Sequence, residues 1–128
     1  MATQNDSGIK LSRVAPSTLA TKQFYFVKLG STGFVICSGA TDAPYGVLQN
    51  NPAANGTAEV TALGLSKVVA GGTIAIGDKI GTDANGAGVA YVPGTDTTKY
   101  IVGKAVSAAA SGEVFTALID CISAGRGA

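Results

Sequence analysis

The stretch TAEVTAL (57–63) alternates without a break. Ala58, Val60 and Ala62 fall on one side of an extended chain, and Thr57, Glu59 and Thr61 fall on the other. A period of two marks a half-buried strand, and the neighbouring sequence continues in the same manner. NPAANG (51–56), just before it, is a turn because Pro, Asn and Gly set its backbone. GVLQN (46–50) is a further short strand. FYFVKLG (24–30) and GFVICSG (33–39) are rich in aromatic and β-branched residues and are joined by Ser31 and Thr32, which predicts a hairpin. KVVAG (67–71), TIAIG (73–77), DKIGT (78–82) and GVAYV (88–92) are short pieces, while KYIVGKAV (99–106) and GEVFTALIDCI (112–122) are the two longest. SAAAS (107–111) suits one helical turn between them. Turn residues such as Gly77-Asp78 and Asn85-Gly86 separate the pieces where positive φ is wanted. The pattern predicts an all-β fold, a small β-barrel or β-sandwich of short antiparallel strands.

The last long piece carries a second message. Val114, Leu118 and Ile122 share one face with Thr116 and Asp120; Phe115, Ala117, Ile119 and Cys121 share the other with Glu113. A strand apolar on both faces lies between two layers, or has one face in the core and one in a subunit contact. Asp120 reads as a strand-end carboxylate that accepts backbone hydrogen bonds.

Residues 1–22 differ from the rest. MATQNDSGIKLSRVAPSTLATK is polar, with isolated Ile9, Leu11, Val14 and Leu19, and Pro16 interrupts any helix. The expectation is an extended N-terminal arm over 1–22, loose in isolation and ordered by a partner, attached to a body over 23–128; a plain disordered terminus is the alternative. On that reading a chain lacking residues 1–20 still folds.

Composition excludes more than it identifies. A chain of 128 residues is one domain by length. Only 13% of residues are charged and 18 are glycine, a low-charge surface that fits extensive contact with other subunits. The nine Lys/Arg are scattered and the net charge is +1, so no concentrated positive face for nucleic acid is visible. No apolar run approaches a membrane span. The first ten residues lack the basic start and apolar centre of a signal peptide, which points to assembly in a cytoplasm. There Cys37 and Cys121 are expected as free thiols, a single long-range disulfide being the alternative.

Chemistry is excluded in the same way. The chain has no histidine, which removes Ser-His-Asp and Cys-His activation and the common zinc sites. No nucleophile elbow, P-loop or dinucleotide fingerprint is present. The oxygen-rich TDANGAG (82–88) fails as an EF-hand-like loop from Asp83, because Ala87 stands fifth and Gly94 stands twelfth, where a bidentate Glu is needed. Asn85-Gly86 makes it a hairpin turn instead. No catalytic residue, metal or cofactor is expected.

Three stretches in order, YGVLQNNPAANGTAEVTALGLSKVVAGGTIAIGDKI (45–80), TDANGAGVAYV (82–92) and YIVGKAVSAAASGEVFTALI (100–119), resemble the phage head decoration, or capsid-stabilising cement, protein family. The resemblance covers about residues 24–122 and leaves 1–22 outside. It implies a viral capsid decoration protein that binds the outer surface of the assembled phage head, often as a homotrimer, with the major capsid protein as its partner. It implies nothing catalytic. On this reading the arm supplies the capsid-binding residues: Ile9, Leu11 and Val14 fill pockets, and Lys10 and Arg13 lie near shell carboxylates. The alternatives are another oligomeric β-module of a virion, such as a fibre base or baseplate piece, and a carbohydrate-binding domain. The last is weakened by the absence of Trp and by only eight Phe and Tyr.

Overall fold

The computed structural model describes residues 8–126. The start of the expected arm (1–7) and the end of the body (127–128) lie outside the described residues. In chain order the strands are β1 (Ile9–Val14), β2 (Phe26–Gly30), β3 (Gly33–Ile36), β4 (Gly46–Leu48), β5 (Thr57–Val69), β6 (Lys79–Thr82), β7 (Gly88–Ala90), β8 (Tyr100–Ile101), β9 (Gly103–Ala105), β10 (Val114–Asp120) and β11 (Gly125–Arg126). No helix occurs among the described residues, and SAAAS forms no helical turn. Ile74 and Ala109 instead exchange backbone hydrogen bonds, which pulls that connection out flat.

One sheet holds most of the chain, in the order β3-β2-β4-β5-β10-β9-β6-β7, with β1 added on β5. Every strand pair is antiparallel, and the sheet curls into a half-barrel. β8 and β11 form a separate small pair. The all-β expectation is met by one curled sheet. The expected hairpin is β2–β3, closed at Gly30 and Gly33. TAEVTAL and KVVAG are not two strands but one, β5, of 13 residues.

β5 is the spine because it has three partners. β4 and β1 both pair with Val60 and Thr61, so they lie on opposite edges. β10 pairs with Leu63 to Val69. The change of partner falls at Gly64, whose φ is +127° and whose missing side chain leaves room for Gly8. A Cβ at Gly64 would stand 2.9 Å from the Gly8 Cα, so only glycine fits this crossing.

Two apolar clusters hold the sheet in shape. Phe26, Val47, Val68, Ile80, Phe115 and Ile119 belong to the larger, inside the curl. Val27, Phe34, Leu48, Val60, Ala15 and Leu19 belong to the smaller. Consecutive residues of β2 (Phe26, Val27) and of β4 (Val47, Leu48) enter different clusters, because side chains alternate across a strand. This end of the sheet is therefore covered on both faces, and the segment after β1 is the second cover. The expected division at residue 22 is corrected here. Ala15 and Leu19 are fully buried, so residues 15–22 are part of the body, and a cut at residue 20 would enter the core.

The 83–87 turn closes the curl. Asp83 Oδ1 accepts from the amides of Asn85 (2.8 Å) and Ala87 (2.9 Å), and Gly86 has φ +83°. The Gly86 carbonyl accepts from the Phe26 amide at 2.7 Å, tying the β6–β7 turn to β2. Asp83 is thus a turn-forming carboxylate.

Phe115→Ala should cost about 3–5 kcal/mol, the range for emptying a buried aromatic site, read by chemical denaturation. Thr61→Val should have the opposite sign. The Thr61 hydroxyl is fully buried with no hydrogen-bond partner, and its isosteric removal should raise stability by about 1 kcal/mol in the same assay.

Candidate functional site

The expected capsid-binding residues Ile9, Lys10, Leu11, Arg13 and Val14 all fall in β1, which lies along β5 from Thr57 to Leu63. The expectation that this segment is ordered only by a partner is corrected. Its backbone is already paired within the chain, with a register irregularity between Ile9 and Lys10. All six β1 residues are exposed, Ile9 at 48%. β1 therefore holds on by backbone hydrogen bonds and cross-strand neighbours, and leaves three apolar side chains in solvent. Gly33 lies directly under the Val14 carbonyl, where a Cβ would collide.

An apolar groove of about 350 Å³ opens beside β1, lined by Leu11, Tyr45, Ala62, Tyr100, Cys121 and Ile122 among others. Its Tyr45 rim is set by a clamp. Lys28 Nζ and Asp42 Oδ2 are 2.8 Å apart, and the same carboxylate accepts from the amides of Ser38 and Gly39. The loop is thereby tightened, and Tyr45 stands edge-on to Phe34 with ring centroids 6.4 Å apart. The hydrogen bond from Lys28 and the two amides hold the Asp42 carboxyl below its ordinary value, and the same bond raises Lys28. Arg126 covers Tyr100 at 5.1 Å.

The groove has little chemistry to offer. Cys37 and Cys121 are free thiols; burial pushes Cys37 up to about 12 and Cys121 higher still, so neither is a thiolate near neutral pH. Asp120 accepts from the amides of Ile122 and Ser123 and from the Ser123 hydroxyl, the strand-end role expected of it. Among the described residues no three His, Cys, Asp or Glu are grouped to hold a metal. The aromatic run 24–26 splits: Phe26 is buried, and Lys22 sits over the Tyr25 ring at 4.9 Å. Tyr91 is buried too, leaving Tyr45 as the most exposed tyrosine.

On the outer side of β10, Val114 and Leu118 are exposed, Leu118 at 52%. Thr116, between them on the same face, is buried, so the second apolar face noted in the sequence is open at Val114 and Leu118 and covered at Thr116. What the geometry provides is surface: bare apolar side chains on a well-braced sheet.

Residues 4–120 match the family model for phage cement protein. The chain belongs to the phage cement protein family. The match reaches back to residue 4, so β1 lies inside the family pattern and not outside it, as the sequence resemblance had it. This cement protein is a phage structural protein, with a virion location. Its fold is similar to a solved structure, the head fiber gp8.5 N base of bacteriophage phi29. The TM-score is 0.64 at 21% identity, with 88% of this chain and 94% of that chain covered. Curated proteins give no match.

Neither the Lys28–Asp42 clamp nor the groove was found from sequence. Their residues are brought together by strand pairing and carry no local motif.

The clamp makes the cement protein acid-sensitive. A carboxyl depressed by folding adds stability that is present above its unfolded value, about 3.9, and lost as pH falls through the folded value. Asp42→Asn should therefore cost about 1 kcal/mol at pH 7 and progressively less as pH falls below the unfolded carboxyl value, by chemical denaturation across that acid range.

Proposed function

We propose that this cement protein binds the outer surface of the assembled phage head as a homotrimer, with the major capsid protein as its partner, and stabilises the shell. The observation that carries the proposal is β1: an ordered edge strand whose six side chains are all exposed, three of them large and apolar. Among the described residues β1 pairs with β5 alone, which leaves its other edge for strand addition by a shell segment. Ile9, Leu11 and Val14 fill pockets on that segment, and Lys10 and Arg13 flank shell carboxylates.

Fixing a residue's backbone costs about 1–2 kcal/mol. Because β1 is already held on β5, most of that cost is met when the chain folds and does not weaken docking. A trimer engages several capsid subunits at once, and linked engagement raises affinity by about two to four orders of magnitude over a single contact. No step of this function transforms a molecule. The fold similarity to a head-fibre base supports a second reading, the foot of a fibre on the head. Imaging separates the two: cement repeats over the lattice, whereas a fibre foot carries a projecting shaft.

The test is co-sedimentation with expanded empty heads. The double variant Ile9→Ser/Leu11→Ser changes only exposed side chains, so its stability should stay within about 0.5–1 kcal/mol of the parent. Head binding should fall by about tenfold or more, equivalent to about 1.4 kcal/mol. Full occupancy by the double variant would remove β1 from the contact. Sedimentation of the parent as a monomer would remove the trimer.

A further inference from the structure

The outer face of the sheet carries an in-register row across four strands. Leu65 of β5 pairs with Leu118 of β10, Leu118 pairs with Lys104 of β9, and Lys104 pairs with Lys79 of β6. Residues directly opposite on antiparallel strands point to the same side, with Cβ atoms about 5 Å apart. Leu118, Lys104 and Lys79 are exposed and Leu65 is half-buried. A shallow depression runs beside the row, lined by Ile101, Lys104, Leu118 and Asp120 among others. At the β2–β4 end residues 15–22 cover the sheet's second face; here Leu118, Lys104 and Lys79 stay exposed.

Two lysines opposite one another repel, and the isolated chain gains nothing from them. No described carboxylate forms an ion pair with either; Asp42 and Asp96 are paired with Lys28 and Lys99 instead. Asp120 shares the depression, but its carboxylate is turned back on Ser123.

We infer that this row is a docking face for a partner that presents two carboxylates about 5 Å apart beside an apolar side chain, and that the partner is a chain of different sequence. The inference rests on the head-binding reading and assigns the contact to the body's Leu118–Lys104–Lys79 face in addition to β1. A second copy of this chain is the poorer occupant on grounds of charge. The carboxylates of Asp42, Asp78, Asp83, Asp96, Glu113 and Asp120 are each engaged by an amide, hydroxyl or lysine of their own chain. Among the described residues only Glu59 is left without such a bond, and one glutamate does not match two lysines. Nucleic acid is poorer still, since it presents phosphate without an apolar group to cover Leu118.

The test uses the full chain and expanded empty heads. Lys79→Glu/Lys104→Glu preserves the like-charge repulsion across the strands, so folding is little changed, yet head binding should drop by about tenfold or more. Lys79→Arg/Lys104→Arg should bind within about twofold of the parent. The single reversal Lys79→Glu places opposite charges across β6 and β9. It should raise the melting temperature of the free protein while still weakening head binding, a combination that a purely structural lysine would not give. Parental binding should also fall more steeply than that of the double reversal as salt rises from about 0.05 to about 0.5 M.

Decoration by the double reversal at the parental level overturns the inference. So does dissociation of the free oligomer in that variant, which would make the row a contact between copies. Displacement of the parent from heads by excess duplex DNA would mean the row reads any polyanion and would also overturn it. Failure of the parent itself to bind heads is a different result, and it overturns the proposed function as well.

Discussion

The backbone hydrogen bonding of β5 is the constraint on which the rest of the structure depends. A strand has two edges, and β5 must serve three partners. It does so by length, giving Thr57 to Leu63 to β1 and Leu63 to Val69 to β10, with β4 on the edge opposite β1. Gly64 makes the handover sterically possible. Once β5 is placed, the half-barrel on the β10 side and the two-faced β2–β4 end follow, because each remaining strand has only one free edge to join.

The same constraint divides the interior. Ala58 and Val60 of β5 enter the smaller cluster, while Val68 and Ala70 enter the larger. The chain covers the smaller cluster with its own residues 15–22 and leaves Leu118, Lys104 and Lys79 exposed on the outer face of β10, β9 and β6. A small protein that keeps Leu118, Val114 and the β1 side chains in solvent is arranged for contact, since an isolated chain gains more by burying such groups. Few charges and many small residues fit the proposed docking against other proteins. Carboxylates that act inside turns and caps, such as Asp42, Asp83 and Asp120, keep the loops stiff.

Stiffness also bears on the proposed binding to a shell. A contact strand already ordered on its own sheet loses less entropy on docking than a loose arm. The clamp of Lys28 on Asp42 does the same for the Tyr45 rim. In the proposed head-bound state, repetition over a lattice supplies strength that no single contact has to provide.

The sequence by itself determined the class and the inventory. Period-two patterning at 57–63 and 114–122, turn chemistry at Asn85-Gly86 and the missing histidine were enough for an all-β fold without the usual nucleophile or zinc chemistry, because these signals are local. The role of Asp120 and the second apolar face of β10 were legible for the same reason. Only the tertiary structure decided the rest. It made one strand of two apparent ones, laid Ile9 to Val14 on β5, and buried Ala15 and Leu19 in the body. It also set Lys79 opposite Lys104, residues 25 apart in sequence. Those outcomes depend on which edges and faces are left open after long-range pairing. That is a property of the whole sheet, and no stretch of sequence carries it alone.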